Sequence, residues 1–73
     1  MPSIFGKKDP KNEIYSIVNS SLRKLSTSEV AARSNYSKPT VLKYLKKLNR
    51  QGEIRREKRS NTYYWYTGEI SFF

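Results

Sequence analysis

The sequence predicts a small α+β domain in which three helices are followed by a two-stranded β-hairpin. Three observations carry that expectation. Apolar residues recur at helical spacing between Ile14 and Leu25 and again between Val41 and Leu48. Asp, Ser and Pro stand where helix starts require them. Beyond Gly52 the pattern shortens to that of strands. A chain of 73 residues holds one domain, and at that size only ~60% of the unfolded surface is buried on folding. Residues 9–68 form the expected domain, between a flexible N-terminal arm (1–8) and an apolar C-terminal tail (69–73).

Asp9-Pro10 reads as a helix start, because Asp caps exposed N–H groups and Pro is pre-set for the first helical position. Ile14, Ile17, Val18, Leu22 and Leu25 then line one face, placing the first helix at about 11–24. Ser26-Thr27-Ser28-Glu29 fits a capping box opening a short second helix at about 27–34, with Val30, Ala31 and Ala32 as its apolar face. Asn35 tolerates the left-handed conformation that ends helices, and Tyr36 plugs the turn. Ser37 caps the third helix, at about 38–51, whose inward stripe is Val41, Leu45 and Leu48 and whose stop is Gly52. Residues 53–59 and 62–67 are strand-compatible runs joined by the polar pair Ser60-Asn61. Two parities fit the run Tyr63-Tyr64-Trp65-Tyr66. Ile54 needs an inward partner near the strand end, which favours Tyr64 and Tyr66 facing in and Tyr63 and Trp65 facing out.

Composition narrows the function. Fifteen Lys and Arg stand against six Asp and Glu, a net charge of +9. Residues 38–59 hold nine basic residues against Glu53 and Glu57, so seven of those nine charges fall in one stretch. The pattern points to a polyanion as partner. With no Cys and no His, disulfide scaffolds, thiol and imidazole catalysis and the commonest zinc ligands are excluded. The six carboxylates are scattered, with caps and hairpin pairs sufficient to explain them, so neither an enzyme nor a cofactor is expected. The longest apolar run, Tyr63 to Tyr66, is far below the ~20 residues that cross a bilayer. No secretory pattern precedes Lys7-Lys8, and a cytoplasmic chain without a membrane partner or evident small-molecule ligand is expected.

Three residue patterns carry a family likeness. Ser26-Thr27-Ser28-Glu29-Val30-Ala31-Ala32 resembles the capped second helix of the winged helix-turn-helix family. The run from Ser37 to Leu48 is similar to its recognition helix, and Gly52-Glu53-Ile54 resembles the step into its wing. The chain looks most like the compact single-domain regulators of archaea, their plasmids and their viruses. The resemblance implies a transcriptional regulator that binds double-stranded DNA, with the third helix in the major groove and the wing (about 53–67) on the backbone or minor groove. Two positions depart from the pattern: Asn35 replaces the usual glycine, and Leu42 stands where DNA-reading members often carry a polar residue. A related family that binds left-handed duplexes combines a wing Trp with Asn and Tyr from the recognition helix; here those positions are Leu42 and Lys46, and the likeness stops at Trp65.

Dimensions assign the expected contacts. A helix fits the ~12 Å major groove, and its first turns reach base edges. Lys38, Thr40, Lys43 and Tyr44 fall on or beside the outward face as candidates for groove contact; packing against the hairpin is the competing place for Tyr44. Ser37, Lys46, Lys47 and Arg50 are candidates for phosphates. Lys lacks the planar fork that reads guanine, so modest sequence discrimination is expected. On the hairpin the candidates are Arg55, Arg56, Lys58, Arg59, Ser60 and Asn61. Strand alternation puts Arg55, Glu57 and Arg59 on one face and Arg56 and Lys58 on the other. Ile4-Phe5 and Ile70 with Phe72-Phe73 are candidates for a homodimer contact. Two other readings compete: an RNA- or ribosome-associated winged helix, which would carry a denser basic arm than Lys7-Lys8, and a protein-docking winged helix, against which the charge of residues 38–59 argues.

Overall fold

The structure, a computed structural model, describes residues 9–68; the expected arm, the tail and the dimer contacts assigned to them lie outside that range. Its elements run α1 (Pro10–Ser20), β1 (Leu25–Ser26), α2 (Thr27–Ala32), α3 (Lys38–Arg50), β2 (Arg55–Arg59) and β3 (Thr62–Tyr66). The three helices pack against one another, and α1 and α2 pack against a three-stranded antiparallel sheet of order β1-β3-β2. The expected two-stranded hairpin therefore gains a third strand.

That strand, Leu25–Ser26, follows directly on the expected end of the first helix at residue 24. α1 starts as expected, with the Asp9 carboxylate accepting from the Lys11 N–H at 3.1 Å. It stops at Ser20 instead of continuing to residue 24. Ser20 turns its hydroxyl back to the Ser16 carbonyl at 2.7 Å, and the Ser21 hydroxyl both donates to the Arg23 carbonyl and accepts from its N–H. Such local side-chain bonds offer the backbone an alternative to helix. Leu22 is consequently 82% exposed, while Leu25 is buried in β1 and pairs with Trp65.

The capping box of α2 forms completely: Ser26 Oγ accepts from the Glu29 N–H, and Glu29 Oε1 accepts from the Ser26 N–H. α2 ends at Ala32, two residues short of the expected 34, and Asn35 does not take the left-handed conformation expected of it. The turn is held by Ser34, whose hydroxyl donates to the Ala31 carbonyl and accepts from the Tyr36 N–H, both at 3.1 Å. Tyr36 does plug the turn, packing against the core and donating its hydroxyl to Glu13 at 3.0 Å. That hydrogen bond to a carboxylate raises the Tyr36 phenol above its ordinary pKa.

Ser37 caps α3 by accepting from the Thr40 N–H, and Pro39 sits in the first turn. At the far end Gly52 has φ 81°, the Gly52 N–H donates to the Asn49 carbonyl and the Glu53 N–H to the Leu48 carbonyl, each at 3.0 Å. This paired closure is a Schellman motif. Asn49 Nδ2 then donates to the Ile54 carbonyl at 2.9 Å and fixes the start of the hairpin.

The core comprises Ile14, Val18, Leu25, Val30, Val41, Leu45, Leu48, Ile54 and Trp65, all essentially inaccessible. Each such aliphatic side chain contributes roughly 1.5–3 kcal/mol by leaving water. Trp65 corrects the favoured parity: Trp65 faces in, and Tyr64 and Tyr66 occupy the opposite face, half-buried. The reason lies in β3 being central. Its pairing with Leu25 aligns Trp65 with the buried side of β1, and the indole N–H is satisfied by Thr27 Oγ1 at 2.9 Å. Two tyrosine hydroxyls would each have needed a buried partner, whereas on the outer face they reach water.

Candidate nucleic-acid interface

All nine basic residues between Lys38 and Arg59 are exposed. Among the described residues only Arg59 of these forms an ion pair, through Nε to Glu57 at 3.1 Å. The other Glu57 oxygen takes Lys24 Nζ at 2.6 Å. Held by Lys24 first and Arg59 second, the Glu57 carboxyl lies below the ordinary glutamate pKa. Eight cations thus lack a carboxylate partner within this set. Uncompensated charge of this kind is free to meet an external anion.

Helix geometry sorts those on α3. At roughly 100° per residue, Val41, Leu45 and Leu48 face the core, and Lys43, Lys46 and Arg50 stand opposite them as a stripe facing solvent. Lys38 and Leu42 form the flank toward the hairpin tip, where both line a cleft with Asn61, Thr62 and Tyr63. Thr40, Tyr44 and Lys47 form the other flank. Tyr44 is half-buried against the core, on the side of Tyr36, with Lys43 Nζ 5.5 Å from its ring centroid. Tyr44 thus packs neither in the solvent-facing stripe nor on the hairpin. The Thr40 hydroxyl accepts from Ser37 Oγ at 3.1 Å, so both side chains serve the helix start.

The register sorts the hairpin. Arg56 pairs with Trp65 and Lys58 with Tyr63, while Arg55, Glu57 and Arg59 pair with Tyr66, Tyr64 and Thr62. Directly opposed residues share a face. Arg56 and Lys58 therefore belong to the side on which the helices pack, and Arg55 and Arg59 to the outer side, as alternation requires. The Arg56 guanidinium lies 4.6 Å from the Tyr63 ring centroid and 5.9 Å from that of Trp65. Lys58 Nζ is 5.8 Å from the Tyr63 ring. Such cation–π contacts orient the cations without neutralising them. Ser60 and Asn61 form the exposed tip, with Ser60 at φ 55°.

Lys43, Lys46 and Arg50 thus share the solvent-facing stripe of α3, with Lys38 and Lys47 on its two flanks, while Arg56 and Lys58 lie on the helix side of the hairpin and Arg55 and Arg59 on its outer side. Sequence reading missed two features of this surface: the ordering of Arg56 on the aromatic strand, and Leu42 as a wall of the cleft. An apolar residue at an otherwise polar position was the only signal for the second. No family model matches the chain, and no curated protein is significantly similar to it. Among the described residues no helix is long and apolar enough to cross a membrane.

Proposed function

We propose that the chain is a winged helix-turn-helix protein that binds double-stranded DNA and acts as a transcriptional regulator. One observation carries the reading. The solvent-facing stripe of α3 and the helix-side cations of the hairpin lie on adjoining elements, exposed and without carboxylate partners among the described residues. α3 enters the major groove with Lys43, Lys46 and Arg50 facing the duplex and Lys38 at its leading end. Arg56 and Lys58 follow the neighbouring backbone from the wing. Lys38 and Lys43 are the residues nearest base edges, and the others meet phosphates.

Magnitudes set the kind of binding. Neutralising ~5 phosphates gives a slope of log affinity against log salt near −4 to −5. A module of this size covers only ~600–1,000 Å² of DNA, so tight specific binding requires a second copy. Chemical-shift mapping with a short duplex at low ionic strength tests the proposal. Perturbations confined to α3 and the β2–β3 hairpin support it. Perturbations centred on α1, or none, overturn it.

A further inference from the structure

A cleft lies between the hairpin tip and the first turns of α3. It measures about 430 Å³ and is open to solvent, a volume in the range of small-ligand sites. Its walls have three chemistries. Tyr63 supplies a flat ring that is 36% exposed, and Leu42 supplies an apolar wall from α3. Lys38, exposed and without an ion pair among the described residues, supplies charge at the mouth. Ser28, Asn61 and Thr62 add hydroxyl and amide groups able to donate and accept. Arg56 and Lys58 lie over the same ring, at 4.6 and 5.8 Å from its centroid.

A flat ring with cations over it, an apolar wall and a rim of small hydrogen-bonding groups match one nucleotide: a base to stack, edge atoms to pair and a phosphate to neutralise. We infer that this cleft takes an unpaired nucleotide of a DNA strand lying next to the duplex held by α3. The inference rests on the duplex-binding reading above, because the cleft opens between the two elements assigned to that duplex. Pulling a base from an intact stack costs at least as much as one aromatic contact returns. An intact duplex therefore gains nothing from the cleft, whereas a bulged or frayed one does. Stacking of a single base raises affinity by about 5- to 140-fold.

The test uses the full chain and two duplexes of one sequence, intact and with a single-nucleotide bulge, read by fluorescence anisotropy at fixed salt. A third probe carries 2-aminopurine at the bulge. The wild-type chain is expected to favour the bulged duplex by about fivefold or more, with quenching of the 2-aminopurine on binding. Tyr63→Leu, which keeps apolar bulk without a flat ring, should bring the ratio of the two affinities close to one, and Tyr63→Phe should preserve it. Equal wild-type affinities, an unquenched probe, or a preference that survives Tyr63→Leu would overturn the inference while leaving duplex binding intact. Failure to bind either duplex at low salt would overturn both readings. The wild-type quenching decides the matter even if Tyr63→Leu does not fold.

Discussion

The indole N–H of Trp65 donates to the Thr27 hydroxyl at 2.9 Å, tying the central strand to the first turn of α2. The residue with the largest buried side chain is thereby also one that joins sheet to helices. Both residues stand at the junction on which the hairpin's position depends.

Thr27→Val should destabilise the domain by about 1–3 kcal/mol, because it leaves a buried N–H without an acceptor. Trp65→Ala should cost about 3–5 kcal/mol through the cavity it opens. In a domain of this size each kcal/mol lowers Tm by about 4–8 °C. Urea titration checks the first by emission of the single Trp, and circular dichroism follows the second. A Thr27→Val variant as stable as the parent would show that the hydrogen bond contributes nothing.

Gly52→Ala isolates a backbone effect. Nothing lies within 4 Å of a Cβ built there, so the whole cost comes from the φ of 81°. A loss of about 1–2 kcal/mol is expected, with duplex affinity at low temperature unaltered. Thermal melts of the two chains make the comparison.

Acid should loosen the outer face of the hairpin. Glu57 is depressed by Lys24 and then Arg59, and Glu29 by the Ser26 N–H and then Arg23. A depressed carboxylate stabilises the fold fully above its unfolded pKa of about 4.3 and loses that contribution as pH falls through the lower folded value. Glu57→Gln should be less stable than the parent at neutral pH, and the two should converge below about pH 4. Glu29→Gln should behave alike while retaining the capping bond. Stability curves from pH 7 to 2.5 measure the convergence; parallel curves would refute the linkage.

Division of labour on DNA can be read from three variants. Lys43→Ala should narrow the preference between a selected duplex and a scrambled one. Arg56→Ala should weaken both alike and lower the salt slope by about one. Arg55→Ala, on the outer side of the hairpin, should lose less affinity than Arg56→Ala. Mobility shifts on both duplexes at several salt concentrations supply the comparison, and equal losses for Arg55 and Arg56 would contradict the assignment of faces.

The starts of the three helices with their N-caps, and the inward stripe and stop of α3, were legible because each depends on residues three or four apart. Ser26 finds Glu29, Ser37 finds Thr40, and Gly52 closes the helix it follows; no distant partner is needed. The concentration of charge between Lys38 and Arg59 was equally plain. Periodicity failed where a competing local bond intervened. Leu22 and Leu25 continue the stripe of α1 on paper, yet the helix ends at Ser20 and the Ser21 hydroxyl bonds the Arg23 carbonyl and N–H in the turn that follows.

The amino-acid order by itself determined which segments coil, where they start and that their surface is cationic, since these follow from local sterics, capping and net charge. Only the tertiary structure decided that Leu25 would meet Trp65, that Trp65 would turn inward, and that Arg56 rather than Arg55 would share a side with α3. Those outcomes depend on which strand lies centrally in the sheet. A strand's alternation fixes two faces but not which of them is buried; that choice belongs to the partners brought beside it by the rest of the chain.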